Sequence, residues 1–577
     1  MPSPKYLINP ATGERTRSVR DQVVSVFGFA GVHQLAEVFE PYWSGREPSQ
    51  RRGRRAMYSP TLLLAVLVAA RSSGSLASLL RMLKTEAGLW QECREAFMAA
   101  AADNVPGVPL APPTRDAVVF FRDRVSGDPE LMGIVQARFQ QLAVGQARHM
   151  GNLVRGVGPD WARPDERHVI YGDGTVIKPF SDVWELNDPI AGTTVAVGSR
   201  AQSLATARIQ RVLSDMSHDE KHARGINMVS MHTWTEWGRI VLATTVAMEA
   251  EMHAALELVD AIAAHAGDGV HTLLYDGAIS GWNVDYLMAR HRIQTINKGI
   301  AASKGVDPLS RKRRVEHLLE EYKHAETESS RTRRRREQRY SVYRQMSTSR
   351  VAQIAVSRGG MPLGVSIYPK GNGLEPVYSR SHVLPAAVHY PDGRVCRHRL
   401  AIDDGALFEL GEDEHDGNLV KQRLLACRSS VPFQRPDGTW GRRSTWTIEC
   451  EKGPFDYEHE WKPPPDRHKA DRPSRTVARD RDLRPLSRSD DLAAWYDGQA
   501  KSLYDLPPTD QRRFTSVFSR RNDAESFNNW YQDRLPHKSR AASLDPNNQA
   551  LDFLAAAVLN NSNTWVKYHE MKPAVLT

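Results

Sequence analysis

Three acidic residues, far apart in the chain, lie in local sequences that could make them ligands of divalent metal ions. Asp173 lies in VIYGDGTVIKPFS, Asp276 in VHTLLYDGAISG and Glu525 in RRNDAESFNNWYQDRL. Carboxylate oxygens are the ligands that Mg²⁺ and Mn²⁺ prefer. Two such ions about 3.5–4 Å apart activate a water or a 3′-hydroxyl and stabilise the leaving oxygen of a phosphodiester. The three residues therefore fit metal-dependent phosphodiester chemistry, provided that the fold brings them together.

Each acid also has an ordinary explanation. Asp173 and Asp276 each precede a glycine, and Asp-Gly is a common turn signal. Glu525 near a helix start is favourable because of the helix dipole. Singly, these explanations are the better ones, and only the joint context in two strands and one helix favours a metal site. Asp285 and Asp219 are the rivals for the second position, but they lie in helix and loop contexts.

Local patterns predict the elements that carry the acids. β-branched and aromatic residues on both sides of Gly172-Asp173-Gly174 favour a buried strand that brings Asp173 to its end. The two glycines leave room for another backbone or a ligand. The run Thr272–Tyr275 predicts a second strand with Asp276 at its carboxyl end, the edge at which open α/β sheets place active groups.

The third acid lies in a predicted helix. Arg520–Leu535 has apolar residues at helical spacing, Asn522 or Asp523 could cap it, and Glu525 falls in its first turn.

The remaining periodic segments predict the fold class. They are strands Asn227–His232, Ile240–Val246 and Gln294–Ile296, and helices Met252–Ala266 and about Trp282–Arg290. The predicted order is β, β, β, α, β, α, β, which is the ribonuclease H-like order. Its first three strands can form an antiparallel meander, and crossovers add parallel strands.

The whole chain is predicted to be an α/β ribonuclease H-like core, interrupted by a β-rich insertion and preceded by an all-α N-terminal domain. The predicted parts are a helical region (1–150), the first part of the core (165–302), a basic helical segment (303–350), the β-rich insertion (351–461), a Pro/Arg-rich linker (462–510) and the second part of the core (511–577).

Composition is that of a globular protein. The 577 residues are 41% hydrophobic and 25% charged, and the formal net charge of +9 is compatible with nucleic acid without demanding it. The longest apolar run, Leu62–Ala70, is far shorter than a membrane span, and the N-terminus has no signal-like apolar core. We expect a soluble intracellular protein with reduced thiols.

Basic residues cluster in the segment 303–350, as Arg311-Lys312-Arg313-Arg314 and Arg331–Arg336, and in the run Arg51–Arg55. Arg331–Arg336 holds five arginines, which favours phosphate contact over a merely solvated helix face. Arg51–Arg55 precedes two predicted helices, Ser59–Arg71 and Ser75–Lys84, whose corner resembles a helix-turn-helix. On these residues alone, an ordinary αα-hairpin is preferred.

Three of the four cysteines fall in the β-rich insertion. Cys396, His398, Cys427 and Cys450 include the donor types of a zinc site. No C-x-x-C knuckle is present and the spacings are long, so buried structural cysteines are the preferred interpretation and structural zinc the alternative.

The stretches GDGTVIKPF, LLYDGAISG through TINK, and FSRRNDAESFNNW resemble the DDE transposases of bacterial insertion sequences. The resemblance implies a ribonuclease H-like core in which Asp173, Asp276 and Glu525 hold Mg²⁺ or Mn²⁺. It also implies DNA cleavage and strand transfer, a dimer on paired DNA ends, and a bacterial cytoplasmic, nucleoid-associated location.

One group of these enzymes carries the signature Y-(2)-R-(3)-E-(6)-K. Arg521 and Glu525 match it, whereas Phe518 stands at the Tyr position and Gln532 at the Lys position. The resemblance implies that Arg521 contacts a DNA phosphate. Lys298 is a further candidate, although an exposed strand-end lysine is the simpler explanation.

The expected function is thus a DNA transposase acting on double-stranded DNA. The DNA-binding candidates are Arg521, Lys298, Arg333, Arg334, Arg335 and Arg336. The alternatives are a transposase-derived DNA-binding protein that no longer cuts, and a structure-selective nuclease on the same core.

Overall fold

The chain forms two compact units, each built from separate stretches of sequence. Unit 1 comprises Met1–Gly156, Glu166–Val270 and Arg520–Thr577, and unit 2 comprises Val157–Asp165 and His271–Ser519. The computed structural model describes residues 6–8, 15–44, 57–101, 108–177, 187–188, 193–194, 217–218, 221–222, 226–247, 251–275, 279, 282–296, 365–370, 373–378, 384–389, 393, 395–403, 406–412, 419–425, 427–451, 453–461, 517–535 and 545–571.

The first stretch of unit 1 is mostly helical, but it opens with a hairpin that the prediction of an all-α N-terminal domain did not include. After a short hairpin of β1 (Tyr6–Ile8) and β2 (Arg15–Arg17), its helices are α1 (Val19–Phe27), α2 (Ala30–Ala36), α3 (Glu40–Ser44), α4 (Pro60–Ala69), α5 (Leu76–Thr85), α6 (Leu89–Ala100), α7 (Arg115–Ser126) and α8 (Pro129–His149).

Helices α4 and α5 form the predicted corner. The side chains of Ser59 and Ser75 cap them by accepting hydrogen bonds from the backbone amides of Leu62 and Ser78. Every residue of α4 except Thr61 is buried, so this apolar helix is surrounded by protein on almost all sides. Its burial explains the longest apolar run of the chain without a membrane.

A three-stranded antiparallel meander lies at the centre of unit 1. It consists of β3 (Val169–Ile177), β4 (Ile226–Thr235) and β5 (Gly238–Val246), with β4 paired to both neighbours. The predicted antiparallel meander is confirmed. Strand β4 extends beyond both of its predicted ends, and β5 begins two residues before its predicted start. Two-residue ladders join Asn187–Asp188 to Thr193–Thr194 and Ser217–His218 to Lys221–His222.

The described residues of unit 1 form three further helices: α9 (Glu251–Ala266), α11 (Arg521–Asp533) and α12 (Pro546–Met571). The carboxylate of Glu251, at the start of α9, lies where a Cβ atom of Gly174 would stand. The predicted close approach at Gly174 is thus made by a side chain of a packed helix.

Helix α12 covers the outer edge of β5. The side-chain amide of Asn561 donates to the carbonyl oxygen of Val241 and accepts from its amide nitrogen, both at 2.8 Å. Asn561 therefore satisfies a strand edge that has no further strand beside it among the described residues of this unit. The α12 helix is much longer than the predicted Asn548–Leu559.

Unit 2 begins with a parallel pair. Strand β6 (Thr272–Leu274) and strand β7 (Gln294–Ile296) are joined by α10 (Trp282–His291), and Leu273 lies opposite Thr295. This strand, helix, strand crossover matches the prediction.

The predicted β-rich insertion follows in the same unit. A six-stranded antiparallel sheet contains β8 (Val365–Lys370), β9 (Gly373–Tyr378), β10 (Leu384–His389), β11 (Val395–Asp403), β12 (Ala406–Glu412) and β13 (Leu419–Leu424). A three-stranded sheet contains β14 (Cys427–Gln434), β15 (Trp440–Ile448) and β16 (Phe455–Trp461). Their shared core consists of Leu400, Leu407, Leu425, Trp446 and Ile448, with Cys427, Phe455 and Tyr457 packed against it.

None of the helices that the structure describes combines the length and the apolar character needed to cross a bilayer.

Candidate active site on the Asp173 strand

Asp173 lies in the middle of β3, opposite Ser230 of β4, and not at the end of the strand as predicted. The ladder continues past Gly174, because Thr175, Val176 and Ile177 pair with β4 as well. The Asp-Gly sequence, a turn signal in isolation, is overridden by this pairing. The acid therefore stands on the surface of a sheet, with only 14% of its side chain exposed.

Alternating residues of β3 separate two faces. Tyr171, Asp173 and Thr175 point to the face covered by α11, whereas Gly172 and Gly174 face the opposite way. At Gly172 a Cβ atom would collide with the sulfur of Met231 and would lie 2.9 Å from the carbonyl oxygen of Ser230. The glycines thus fit sheet and helix packing, while the intervening polar residues form the candidate site.

One face of α11 carries the residues that meet β3. Arg521, Glu525, Asn528 and Gln532 are spaced by four, three and four residues, so they lie along one stripe of the helix. The Nδ2 atom of Asn528 donates to Oδ2 of Asp173 at 3.1 Å. One turn further, Nε2 of Gln532 donates to Oγ1 of Thr175 at 2.7 Å.

The Arg521 guanidinium links the two acids that the structure describes. Its Nη2 atom lies 3.4 Å from Oδ1 of Asp173 and 3.0 Å from Oε1 of Glu525. Asp173 and Arg521 are mostly buried, whereas the Glu525 side chain is 48% exposed. One guanidinium nitrogen thus contacts both carboxylates.

Buried contacts hold the start of α11 against the meander. The Tyr171 hydroxyl donates to Oδ2 of Asp523 at 2.6 Å, and Nη1 of Arg239 donates to the Asp523 carbonyl oxygen at 2.8 Å. The predicted cap by Asn522 or Asp523 is wrong, because Arg520 occupies the cap position without a side-chain cap bond. Asp523 instead lies in the first turn and anchors the helix through its side chain.

Glu525 lies one turn further along α11 than predicted, because the helix begins at Arg521. Arg521 lies four residues earlier on the same face of the helix, which brings the two side chains into contact.

Burial sets the electrostatics of this anchor. Desolvation raises the pKa of Asp523, although Arg239 and the Tyr171 hydroxyl oppose the shift. Burial, with the nearby Asp523 carboxylate, also raises the pKa of Tyr171 far above its ordinary value. Tyr171 therefore stays a hydrogen-bond donor at any physiological pH.

A neutral histidine lies behind the anchor. Burial lowers the pKa of His232 well below its usual range. Its ring stacks on Tyr171 with centroids 5.5 Å apart and meets the edge of Phe527 at 5.0 Å. The Nε2 atom of His232 also lies 2.8 Å from Oγ of Ser230, so this ring is a packed part of the core.

The donor set suits a hard divalent cation. Asp173 and Glu525 offer carboxylate oxygens, which Mg²⁺ and Mn²⁺ prefer. Within the described part of the chain, the buried Oδ1 atom of Asn528 has no hydrogen-bond partner, while the Nδ2 atom of the same amide meets Asp173. In this structure the positive charge between the two acids is supplied by Arg521.

Several predicted site residues lie outside the described ranges. They are Asp276, Lys298, Arg333, Arg334, Arg335 and Arg336. The same holds for the basic segment 303–350 and the linker 462–510, and their roles stay predictions.

Sequence reasoning missed Asn528, Tyr171 and Arg239. Asn528 had a usable signal, since it follows Glu525 by three residues and so shares its helix stripe. Tyr171 precedes Asp173 by two residues and so shares its strand face. Arg239 had no such signal, because its partner Asp523 is brought to it only by tertiary packing.

No protein-family model matches this chain, and a search of curated proteins finds no match to it.

Proposed function

We propose that this protein is a DNA transposase with a ribonuclease H-like core, which cuts and joins DNA strands at insertion-sequence ends with the help of Mg²⁺ or Mn²⁺. The observation that carries the proposal is the approach of Asp173 and Glu525, linked by Arg521, on one face of the meander. These are the acid, the helix and the arginine that the transposase resemblance requires to meet.

The residues of the site have different roles in this proposal. Asp173 and Glu525, with Asp276 as the third acid, would hold the divalent ions, which activate the attacking oxygen and stabilise the leaving one. Asn528 orients the Asp173 carboxylate through its hydrogen bond. The buried contacts of Asp523 fix the helix, so that the acids need little rearrangement during the reaction.

Arg521 has two roles in this proposal. Without metal it neutralises Asp173 and Glu525, which lie close together and would otherwise repel each other. With divalent ions held by the acids, Arg521 would be free to bind a DNA phosphate, whose oxygens suit two parallel hydrogen bonds from a guanidinium.

The expected partner is double-stranded DNA. The N-terminal helical region would recognise terminal repeats, and the basic residues Arg333–Arg336 and Lys298 would contact the backbone. A homodimer on paired DNA ends and a nucleoid-associated location in bacteria complete the proposal.

A second candidate is a transposase-derived protein that binds DNA and no longer cuts. The observation that favours it is the same ion pair, because an arginine permanently held by Asp173 and Glu525 would exclude the metal.

The decisive experiment measures cleavage and strand transfer of DNA that carries the flanking element ends, with Mg²⁺ or Mn²⁺. Wild type is compared with Asp173→Asn, Asp276→Asn and Glu525→Gln. Asp533→Asn is the matched control, since Asp533 is an exposed acid on the same helix as Glu525. DNA binding by each variant is measured in parallel by gel shift.

The outcomes separate the candidates. The proposal predicts that wild type and Asp533→Asn cut and join DNA, while the other three variants bind the ends without cutting. Wild type that binds without cutting would favour the non-cutting protein. Cutting without joining or end preference would indicate a structure-selective nuclease.

A further inference from the structure

The insertion of unit 2 contains a cluster of three metal-binding side chains, Cys396 and His398 on β11 and Cys450 just after β15. One donor atom from each lies within 4.8 Å of the other two. The cluster therefore joins the six-stranded sheet to the three-stranded sheet of this unit. It is the only such group of three or more His, Cys, Asp or Glu residues among the residues described.

The spacing of the donors is close to that of a zinc site. In a tetrahedral site with Zn–S of about 2.3 Å and Zn–N of about 2.0–2.1 Å, neighbouring sulfur and nitrogen atoms are about 3.6 Å apart. Here Sγ of Cys396 lies 3.3 Å from Nε2 of His398. Cys450 also hydrogen-bonds to both residues, so all three donors already converge.

The far side of the histidine ring is fixed in the way that metal sites require. The Nδ1 atom of His398 donates to Oε1 of Glu409 at 2.6 Å, and Oε2 of Glu409 accepts from Arg423 at 2.6 Å. This leaves the Nε2 lone pair of His398 directed at the two thiols. A carboxylate behind a ligating histidine sets its tautomer and strengthens its binding to metal.

Cys427, the fourth member of the set considered from the sequence, does not belong to the cluster. Its side chain packs against the apolar core beside Trp446, and its thiol donates to the carbonyl oxygen of Ser429 at 3.4 Å. Burial raises the pKa of Cys427 to about 11. Cys427 is therefore a structural cysteine, and three protein donors of the described residues make up the cluster.

We propose that Cys396, His398 and Cys450 bind one zinc ion, with Glu409 orienting His398, and that this ion fastens the two sheets of the insertion to each other. Two thiolates and one imidazole select zinc over Mg²⁺ or Mn²⁺, which prefer oxygen. Among the residues that the structure describes no fourth donor joins the cluster, so the fourth position of the tetrahedron is open to a further ligand such as water. This site is separate from the Asp173 site in both residues and metal chemistry.

The test measures zinc in the full-length protein, purified with a thiol reductant and without chelator, by mass spectrometry of metals. We expect about one zinc per chain in wild type, and its loss in Cys396→Ser and Cys450→Ser. Cys427→Ala is the matched control, because it removes a thiol of the same unit and should retain zinc. Glu409→Gln should retain the site but weaken zinc affinity about 10–100-fold.

A measurement on wild type alone guards against variants that fail to fold. Zinc is replaced by Co²⁺, whose absorption spectrum reports thiolate ligands and tetrahedral geometry. Intense thiolate-to-cobalt bands, lost on adding zinc, support the proposal. Wild type that takes up no zinc or Co²⁺, or a Cys450→Ser variant that keeps its zinc, overturns it. A Cys396–Cys450 disulfide that persists in the reductant-treated protein overturns it as well.

Discussion

Replacing Arg521 by alanine should make the Asp173 site bind divalent metal more tightly, although it should abolish strand transfer. In the structure the Arg521 guanidinium lies 3.4 Å from Asp173 and 3.0 Å from Glu525, where it competes with any metal for both carboxylates. Without the guanidinium, Arg521 no longer neutralises either carboxylate, so both should attract a divalent metal ion more strongly.

The expected gain follows from the exposure of the partners. An exposed ion pair contributes about 0.2–1 kcal/mol, whereas breaking a fully buried pair costs about 3–5 kcal/mol. Asp173 is 14% exposed but Glu525 is 48% exposed, so the value should fall between these limits, near the lower one. About 1–2 kcal/mol corresponds to roughly 5–30-fold tighter Mn²⁺ binding.

Titration calorimetry of the full-length protein with Mn²⁺, in the absence of DNA, measures this gain. Arg520→Ala is the matched control, since Arg520 is the neighbouring arginine and pairs with Glu166 at 2.8 Å. The double variant Arg521→Ala, Asp173→Asn should lose the gain, because the acid that benefits is gone. Unchanged or weaker Mn²⁺ binding in Arg521→Ala would refute the reasoning.

Three further predictions concern the scaffold. Tyr171→Phe removes a donor to the buried Asp523 carboxylate and should lower the unfolding free energy by about 1.5–3 kcal/mol, seen as faster hydrogen exchange in β3 and α11. Because burial raises the folded-state pKa of Asp523, its stabilising contribution is complete below pH 3.8 and is lost as the pH rises through the raised pKa. Asp523→Asn should therefore lack this pH-dependent loss of stability. Denaturation midpoints of both proteins, measured at about five pH values from 3 to 7, would test it. Asn561→Ala leaves the buried amide and carbonyl of Val241 without their partner and should cost about 2–4 kcal/mol, whereas a thermal midpoint equal to that of wild type would contradict this assignment.

Local sequence predicted the elements where short-range patterns dominate. Alternating or continuous apolar residues specified β4, β5, β6 and β7, because a strand must bury at least one face. The predicted helices Ser59–Arg71 and Ser75–Lys84 correspond to α4 and α5, and the structure shows a serine cap at the start of each. The predicted change to β structure after residue 351 is also found, and nine of the described strands lie there.

The candidate sites could be predicted only in part. Residue types indicated that Asp173 and Glu525 could bind metal, and the stripe Arg521, Glu525, Asn528, Gln532 follows from helical periodicity. The cysteine positions likewise indicated a possible donor set, but could not tell which of Cys396, Cys427 and Cys450 converge with His398.

Tertiary structure alone decided the rest, because contacts between distant segments depend on register and packing rather than on local propensity. It placed Asp173 inside the strand through pairing with β4, made Asp523 an anchor instead of a cap, and put Arg521 between two acids. It also directed the Cys427 side chain towards the apolar core. A sequence determines which groups can do chemistry, and the fold determines which of them meet, since a one-residue shift in a strand reverses the face to which each side chain points.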